Sequence, residues 1–188
     1  LPIITFQEEV SQLCPSYLDS SECNNGNEPG TYMHVYMDTI VLPDTCDSWT
    51  FSYSSCCRNA SNNLNGTGNS YYIETTLNST AIPCNNSPIL TNQIIPYVCV
   101  NQPITYNLGI IDPDGDSLEF ILVDALTNAG TSVVYNGVFS GAVPIPGITI
   151  DPTTGDLEFT PTTIGNYVVA VQVNEYNSNG DLIGSFIH

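Results

Sequence analysis

Apolar and polar residues alternate along most of this chain with a period of two, the spacing of strands whose successive side chains face opposite ways. The pattern is cleanest in the second half. There Ile104, Tyr106, Leu108 and Ile110 share one face, and Tyr167, Val169, Val171 and Val173 share another. It predicts strands over 97–100, 104–111, 118–123, 133–139, 148–150, 157–159, 167–173 and 182–187. Turn signals separate many of them, among them Asn101-Gln102-Pro103, Asp112-Pro113-Asp114-Gly115, Asp151-Pro152-Thr153-Thr154-Gly155 and Asn179-Gly180. No segment of useful length carries a 3.6-residue period, so the pattern predicts antiparallel β-sandwich architecture.

The first half alternates less regularly. Ile3 to Phe6 reads as a strand, or, with Thr5 and Glu8 at capping-box spacing, as the start of a short helix. Strands are predicted over 32–37, 40–42, 49–57 and 71–77. In the third of these, Trp49, Phe51, Tyr53 and Cys57 fall on one face, which turns Cys57 toward the core and Cys56 outward. Adjacent cysteines on a strand are badly placed to bond each other, so separate partners are expected. Pro83-Cys84-Asn85-Asn86-Ser87-Pro88 interrupts the pattern and is read as the boundary between domains 1–86 and 87–188.

Composition sharpens the class. With 188 residues, 41% of them hydrophobic, the chain suits two domains, each with a core. Nineteen acidic residues face one base, Arg58, and the formal charge of −18 excludes nucleic acid and anionic lipid as good partners. Nor does any 18-residue apolar run predict direct membrane insertion. The absence of lysine rules out Lys–Asn isopeptide crosslinks. Seven cysteines, Cys14, Cys23, Cys46, Cys56, Cys57, Cys84 and Cys99, lack zinc-finger spacing and are expected as disulfides formed outside the cytoplasm, with one left over. A loop stapled between Cys14 and Cys23 is one such expectation. The start at Leu1 reads as a processed product or a piece of something longer.

Few residues carry chemistry. The two histidines, His34 and His188, suggest no nucleophile–histidine–acid arrangement, and Glu8-Glu9 reads as solvated, so no enzyme is expected. Tyr71-Tyr72, beside an Asn-rich loop, could stack on sugars, although strand tyrosines more often pack in cores. Asn59, Asn65, Asn78 and Asn85 head N-x-S/T sequons. The densest chemistry is Asp112-Pro113-Asp114-Gly115-Asp116, three carboxylates in five residues. Asp, Pro and Gly at these positions are what a type I turn favours. The same carboxylates also meet part of calcium's demand for six to eight oxygens. Both readings stay open.

Certain runs resemble known families. Asn85-Asn86-Ser87-Pro88-Ile89-Leu90, the run from Gly109 to Phe120, the run from Ile150 to Phe159 and Gly165 to Val171 resemble, in order, a cadherin-like or Ig-like domain of the dystroglycan type. Trp49 to Asn59 with its Cys-Cys-Arg-Asn end, Tyr71 to Leu77 and Cys84 to Pro88 are similar to segments of large secreted Bacteroidota proteins, many of them gliding-motility-associated and carrying a C-terminal sorting domain. The first resemblance implies a calcium-stiffened junction with Asp112 and Asp114 as the D-x-D pair, Asp116 beside them, and Asn85 and Asn86 as the linker. Two linker positions that are usually aspartate correspond to Ile82 and Asn85, and from Asp112 an EF-hand would need glutamate where Val123 stands.

Together these readings give an all-β protein of two antiparallel β-sandwich (Ig-like/cadherin-like) domains in tandem, the first disulfide-stabilised. The expected role is that of a non-enzymatic extracellular or cell-surface structural or adhesive module, a spacer or filament segment of a larger bacterial surface protein. Its partners would be neighbouring domains or identical subunits, with surface glycans as a further possibility. A carbohydrate-binding module is the alternative.

Overall fold

A computed structural model describes residues 3–43, 46–66, 70–80, 84–92 and 97–188. It is all-β with antiparallel sheets and divides into two compact units, Leu1–Asp44 with Ile95–Tyr97, and Thr45–Ile94 with Val98–His188. Residue 82, one of the expected linker positions, lies outside the described residues.

Unit 1 is small. Strands β1 (Ile3–Glu9) and β2 (Tyr32–Met37) pair antiparallel with a bulge between Ile4 and Phe6. Ile3 to Phe6 is therefore strand and not the start of a helix. Between the strands lie two short 3-10 helices, Pro15–Ser20 and Glu22–Asn24. A knot of polar bonds ties this loop to β1. Glu9 accepts from Ser11 Oγ at 2.7 Å and Asn24 Nδ2 at 2.8 Å, and Asn24 also reaches Leu18 O. Ser21 and Ser11 are the buried residues here, so Glu9 is engaged where a solvated carboxylate was expected.

Unit 2 holds the other strands, β3 (Ser48–Ser55), β4 (Tyr71–Asn78), β5 (Ile89–Leu90), β6 (Ile104–Asn107), β7 (Ile110–Ile111), β8 (Ser117–Val123), β9 (Leu126–Asn128), β10 (Thr131–Ser132), β11 (Thr149–Ile150), β12 (Asp156–Phe159), β13 (Ala170–Tyr176) and β14 (Leu182–Ile187). The large sheet runs β10-β9-β4-β14-β13-β8, with β3 on the other side of β4. A second sheet is β11-β12-β6, and β5 pairs with β7. One apolar cluster draws on both larger sheets, joining Phe120, Val171 and Val173 to Leu157, Ile145, Ile148, Leu108 and Ile110. A smaller one gathers Leu64, Ala125, Val133 and Ala170.

The expected boundary at 86/87 falls inside unit 2, because β4 hydrogen-bonds β14 through Thr75 to Leu77 and carries β3 into the same sheet. The first unit is thus left with a two-stranded sheet in place of the sandwich expected over 1–86. The predicted strand over 104–111 breaks at Leu108-Gly109, where Gly109 takes φ 64 and its N–H turns to Asn107 Oδ1 at 2.6 Å. Both Leu108 and Ile110 still reach the core. The strand predicted over 167–173 begins three residues late, where a side chain takes the backbone groups. Buried Asn63 accepts from Val168 N at 3.0 Å and donates to Val168 O at 2.7 Å and Pro144 O at 3.1 Å. An amide thus satisfies backbone groups that a neighbouring strand would otherwise take, and β13 starts at Ala170. Within 133–139 only Tyr135 bridges Leu64. The predicted strands at 40–42 and 97–100 are also absent.

The cysteine framework differs from expectation. The sulfurs of Cys56 and Cys57 are brought together, and Cys14, Cys23, Cys46, Cys84 and Cys99 have no disulfide partner among the described residues. The pair lies beyond the end of β3, where Cys57 turns to φ 78, so strand geometry does not hold the two side chains apart. For the same reason Cys57 is exposed instead of facing the core.

Candidate metal centre

Strands β7 and β8 are joined by the acidic turn. Asp112 Oδ1 accepts the N–H groups of Asp114 at 2.9 Å and Asp116 at 3.0 Å, and Gly115 closes the turn at φ 83. The turn chemistry read from Asp, Pro and Gly is therefore present, built on the first aspartate's side chain. It brings carboxylate oxygens of Asp112, Asp114 and Asp116 within 4.8 Å of one another.

The segment after residue 83 is clasped to this turn. Asp114 takes the backbone N–H of Asn86 at 2.7 Å and its side-chain amide at 2.9 Å, and these bonds hold the Asp114 carboxyl below its usual pKa. Asn86 thus contributes donors, and its role at the turn is to fasten Asp114. Asn85 instead donates from Nδ2 to Glu175 Oε1 at 2.7 Å.

Glu175 is the member the sequence reading missed. It sits on β13 two residues after Val173, on the face that supplies the core valines, and is 2% exposed. Its neighbours across the sheet are Leu118 and Gly184. A Cβ at position 184 would stand 2.9 Å from Glu175 Oε2, so the glycine leaves room for the carboxylate. Burial first, then the charges of Asp112 and Asp116, push the Glu175 carboxyl up to about 6. Asp116 is raised as well, by partial burial and then by Asp112 and Asp114. A carboxylate continuing an alternation of core valines was the available signal.

The carboxylates that could together hold a metal ion are those of Asp112, Asp114 and Asp116. Calcium takes oxygens from carboxylates and amide carbonyls. Two buried oxygens here, Asp112 Oδ2 and Asn85 Oδ1, have no hydrogen-bond partner. Asp116 and Glu175 lie near enough for their charges to act on each other and on Asp112, and the two unpaired oxygens are already desolvated. A divalent cation would relieve both costs.

Tyr71 and Tyr72 do not offer sugar platforms. The Arg58 guanidinium lies 5.2 Å over the Tyr71 ring while donating to Leu126 O at 2.9 Å, and Tyr72 is buried with its hydroxyl on Glu74. Exposed aromatic side chains occur instead on β2, where Tyr32, His34 and Tyr36 form a row with ring centroids 6.1 and 6.5 Å apart. His188 lies in unit 2, half-buried, with backbone bonds to Val171.

The chain is similar to integrin beta-like protein A of Dictyostelium discoideum, 26% identical over 153 residues, which is 77% of this chain and 7% of that protein. No family model matches. No solved structure matches.

Proposed function

We propose that this chain is a structural or adhesive module of a larger extracellular or cell-surface protein, acting without catalysis, and that unit 2 is a cadherin-like β-sandwich stiffened by calcium. Its partners are neighbouring modules or identical subunits. The observation that supports this most is the clasp between the segment at Asn85-Asn86 and the acidic turn, with Glu175 buried beneath it and two oxygens left unpaired. A module that bears tension gains from fixing the segment that enters its sheet to a rigid turn, and a shared cation does so with strong, short bonds. Similarity to a protein named integrin beta-like is compatible with adhesion, as is the resemblance of the Cys-Cys-Arg-Asn run to secreted Bacteroidota proteins.

In this reading Asp112, Asp116, Glu175 and Asn85 hold the ion, while Asn86 orients Asp114. The test is thermal melting of the chain with calcium and with EDTA. Calcium is expected to raise the midpoint by several degrees, and Asp116→Asn is expected to abolish the rise. A midpoint indifferent to calcium would sink the metal reading.

The carbohydrate-binding alternative keeps one favourable observation, the exposed Tyr32–His34–Tyr36 row, because aromatic rings present apolar faces beside polar tips. Glycan-array binding lost on Tyr32→Ala would favour it.

A further inference from the structure

Two thiols of unit 2 are brought to the same end of its large sheet. β3 and β4 pair from Ser48 opposite Asn78, and the Ser79 N–H carries the pairing one step further by donating to Asp47 O at 3.0 Å. Ser79 Oγ then donates to Cys46 O at 3.2 Å, which holds Cys46 beside the end of β4. The chain turns just there, where Asn78 Oδ1 accepts from Thr80 N at 3.2 Å and from Thr80 Oγ1 at 2.9 Å. Cys84 is four residues past Thr80, a reach of at most about 14 Å. The residues after it fix it to the same end, because Asn85 bonds Glu175 and Asn86 bonds Asp114. Glu175 itself belongs to the cross-strand row Trp49, Leu77, Gly184, Glu175, which starts three residues from Cys46. Both thiols are exposed.

The remaining cysteines of unit 2 lie at the other end. Cys56 and Cys57 follow Ser55, so the length of β3, about 23 Å, stands between them and Cys46. Cys99 precedes Asn101, whose N–H is taken by Pro161 O at 2.7 Å, and the run from Ile104 to Ile111 leads from there to the acidic turn. A disulfide joins Cα atoms roughly 4.4–6.8 Å apart, so none of these three reaches Cys46 or Cys84 in the folded unit.

We infer that Cys46 and Cys84 are partners in a disulfide that forms when the folded chain meets an oxidising thiol–disulfide pool. One cysteine thiolate attacks a small-molecule disulfide such as oxidised glutathione, releasing one thiol and leaving a mixed disulfide, and the second thiolate displaces the other thiol. The Sγ–Sγ bond forms, and the two cysteine protons and two electrons pass to the external disulfide, which leaves as two thiols. The bond joins the start of β3 to the segment that clasps the acidic turn. Tension arriving along the chain at residue 46 then passes to residue 84 and the clasp without crossing the β3–β4 ladder. That consequence rests on the structural reading proposed above; the bond itself does not.

Non-reducing peptide mapping of the full chain tests it, after equilibration in a glutathione redox buffer, alkylation, and digestion that cuts between Cys84 and Cys99. A peptide pair linked through Cys46 and Cys84 is expected. Cys46→Ser should free the Cys84 thiol for alkylation and Cys84→Ser the Cys46 thiol, whereas Cys99→Ser should leave the link in place. Closing this loop removes freedom from the unfolded chain, so oxidation should raise the melting midpoint of wild type by several degrees. The double variant Cys46→Ser/Cys84→Ser should melt with reduced wild type, in calcium and in EDTA alike. A chain indifferent to calcium that still carries the link would lose the metal and keep the bridge. Both thiols alkylated after complete oxidation, or either one linked to a different cysteine, Cys14 and Cys23 of unit 1 included, would overturn the inference. So would a link that fails to raise the midpoint, which would mark a forced bond.

Discussion

Unit 1 and unit 2 are held by different forces, although both are built from strands of similar sequence character. Unit 2 closes two apolar clusters in which Val173 is 0% and Val171 is 2% exposed. Among the described residues of unit 1, no apolar side chain is buried, and Phe6, Met37 and Val41 are 48%, 68% and 90% exposed. A two-stranded sheet is marginal in water without a packed face. What organises unit 1 is hydrogen bonding: the β1–β2 ladder, the bond from Val10 N to Thr31 O, and the polar knot around Glu9, Ser11, Ser21 and Asn24. Each such bond adds only about 0.5–1.5 kcal/mol net, whereas a buried Leu or Val adds roughly 1.5–3 kcal/mol. The larger unit is therefore expected to unfold cooperatively and the smaller to open locally.

The sharpest way to break this contrast is to truncate one apolar residue in each unit. Leu157→Ala, between the two sheets of unit 2, should cost about 2–5 kcal/mol, measured by urea unfolding. Met37→Ala in unit 1 should stay within about 0.5 kcal/mol. Equal losses would show that unit 1 has a core after all.

A second expectation concerns Glu175, the one carboxylate among the described residues that is buried in the core face of unit 2. Its folded pKa of about 6 lies above the ordinary 4.5, so between these values the folded chain binds more protons than the unfolded one. Its contribution is favourable at and below about pH 4.5 and is lost as pH rises through about 6. With EDTA present, wild type should lose stability over that window relative to Glu175→Gln, which keeps the Asn85 contact and cannot ionise. Parallel pH profiles would remove the carboxylate from this role.

A local effect is expected in the knot of unit 1. Asn24→Ala removes bonds to Glu9 and Leu18 and should cost about 1 kcal/mol. Amide exchange should accelerate in β1 and β2 with little change in β13. A matching acceleration in β13 would mean that the units unfold together.

The parts of this molecule visible in its sequence are those set by neighbours along the chain. Alternation located β2, β3, β4, β8 and β14 closely, because a half-buried strand must repeat every two residues. The turn at Asp112 was equally visible, since Asp and Gly there have local backbone reasons. Missed features depend on distant partners. Asn63 replaces a strand for Val168 across 105 residues. Glu175 finds Asn85 across 90 residues and a gap made by Gly184. Cys56 and Cys57 were placed by extending the β3 alternation two residues too far.

The sequence by itself determined that this is an all-β, antiparallel, strongly acidic chain with one concentrated carboxylate turn, because composition and period two act residue by residue. Only the tertiary structure decided that β3 and β4 belong to the sheet of β13 and β14, leaving residues 3–37 with two strands. The same packing brought a buried glutamate beneath the turn. Strand pairing is chosen by long-range hydrogen bonds and shared cores, and no local pattern specifies which edge a strand will join.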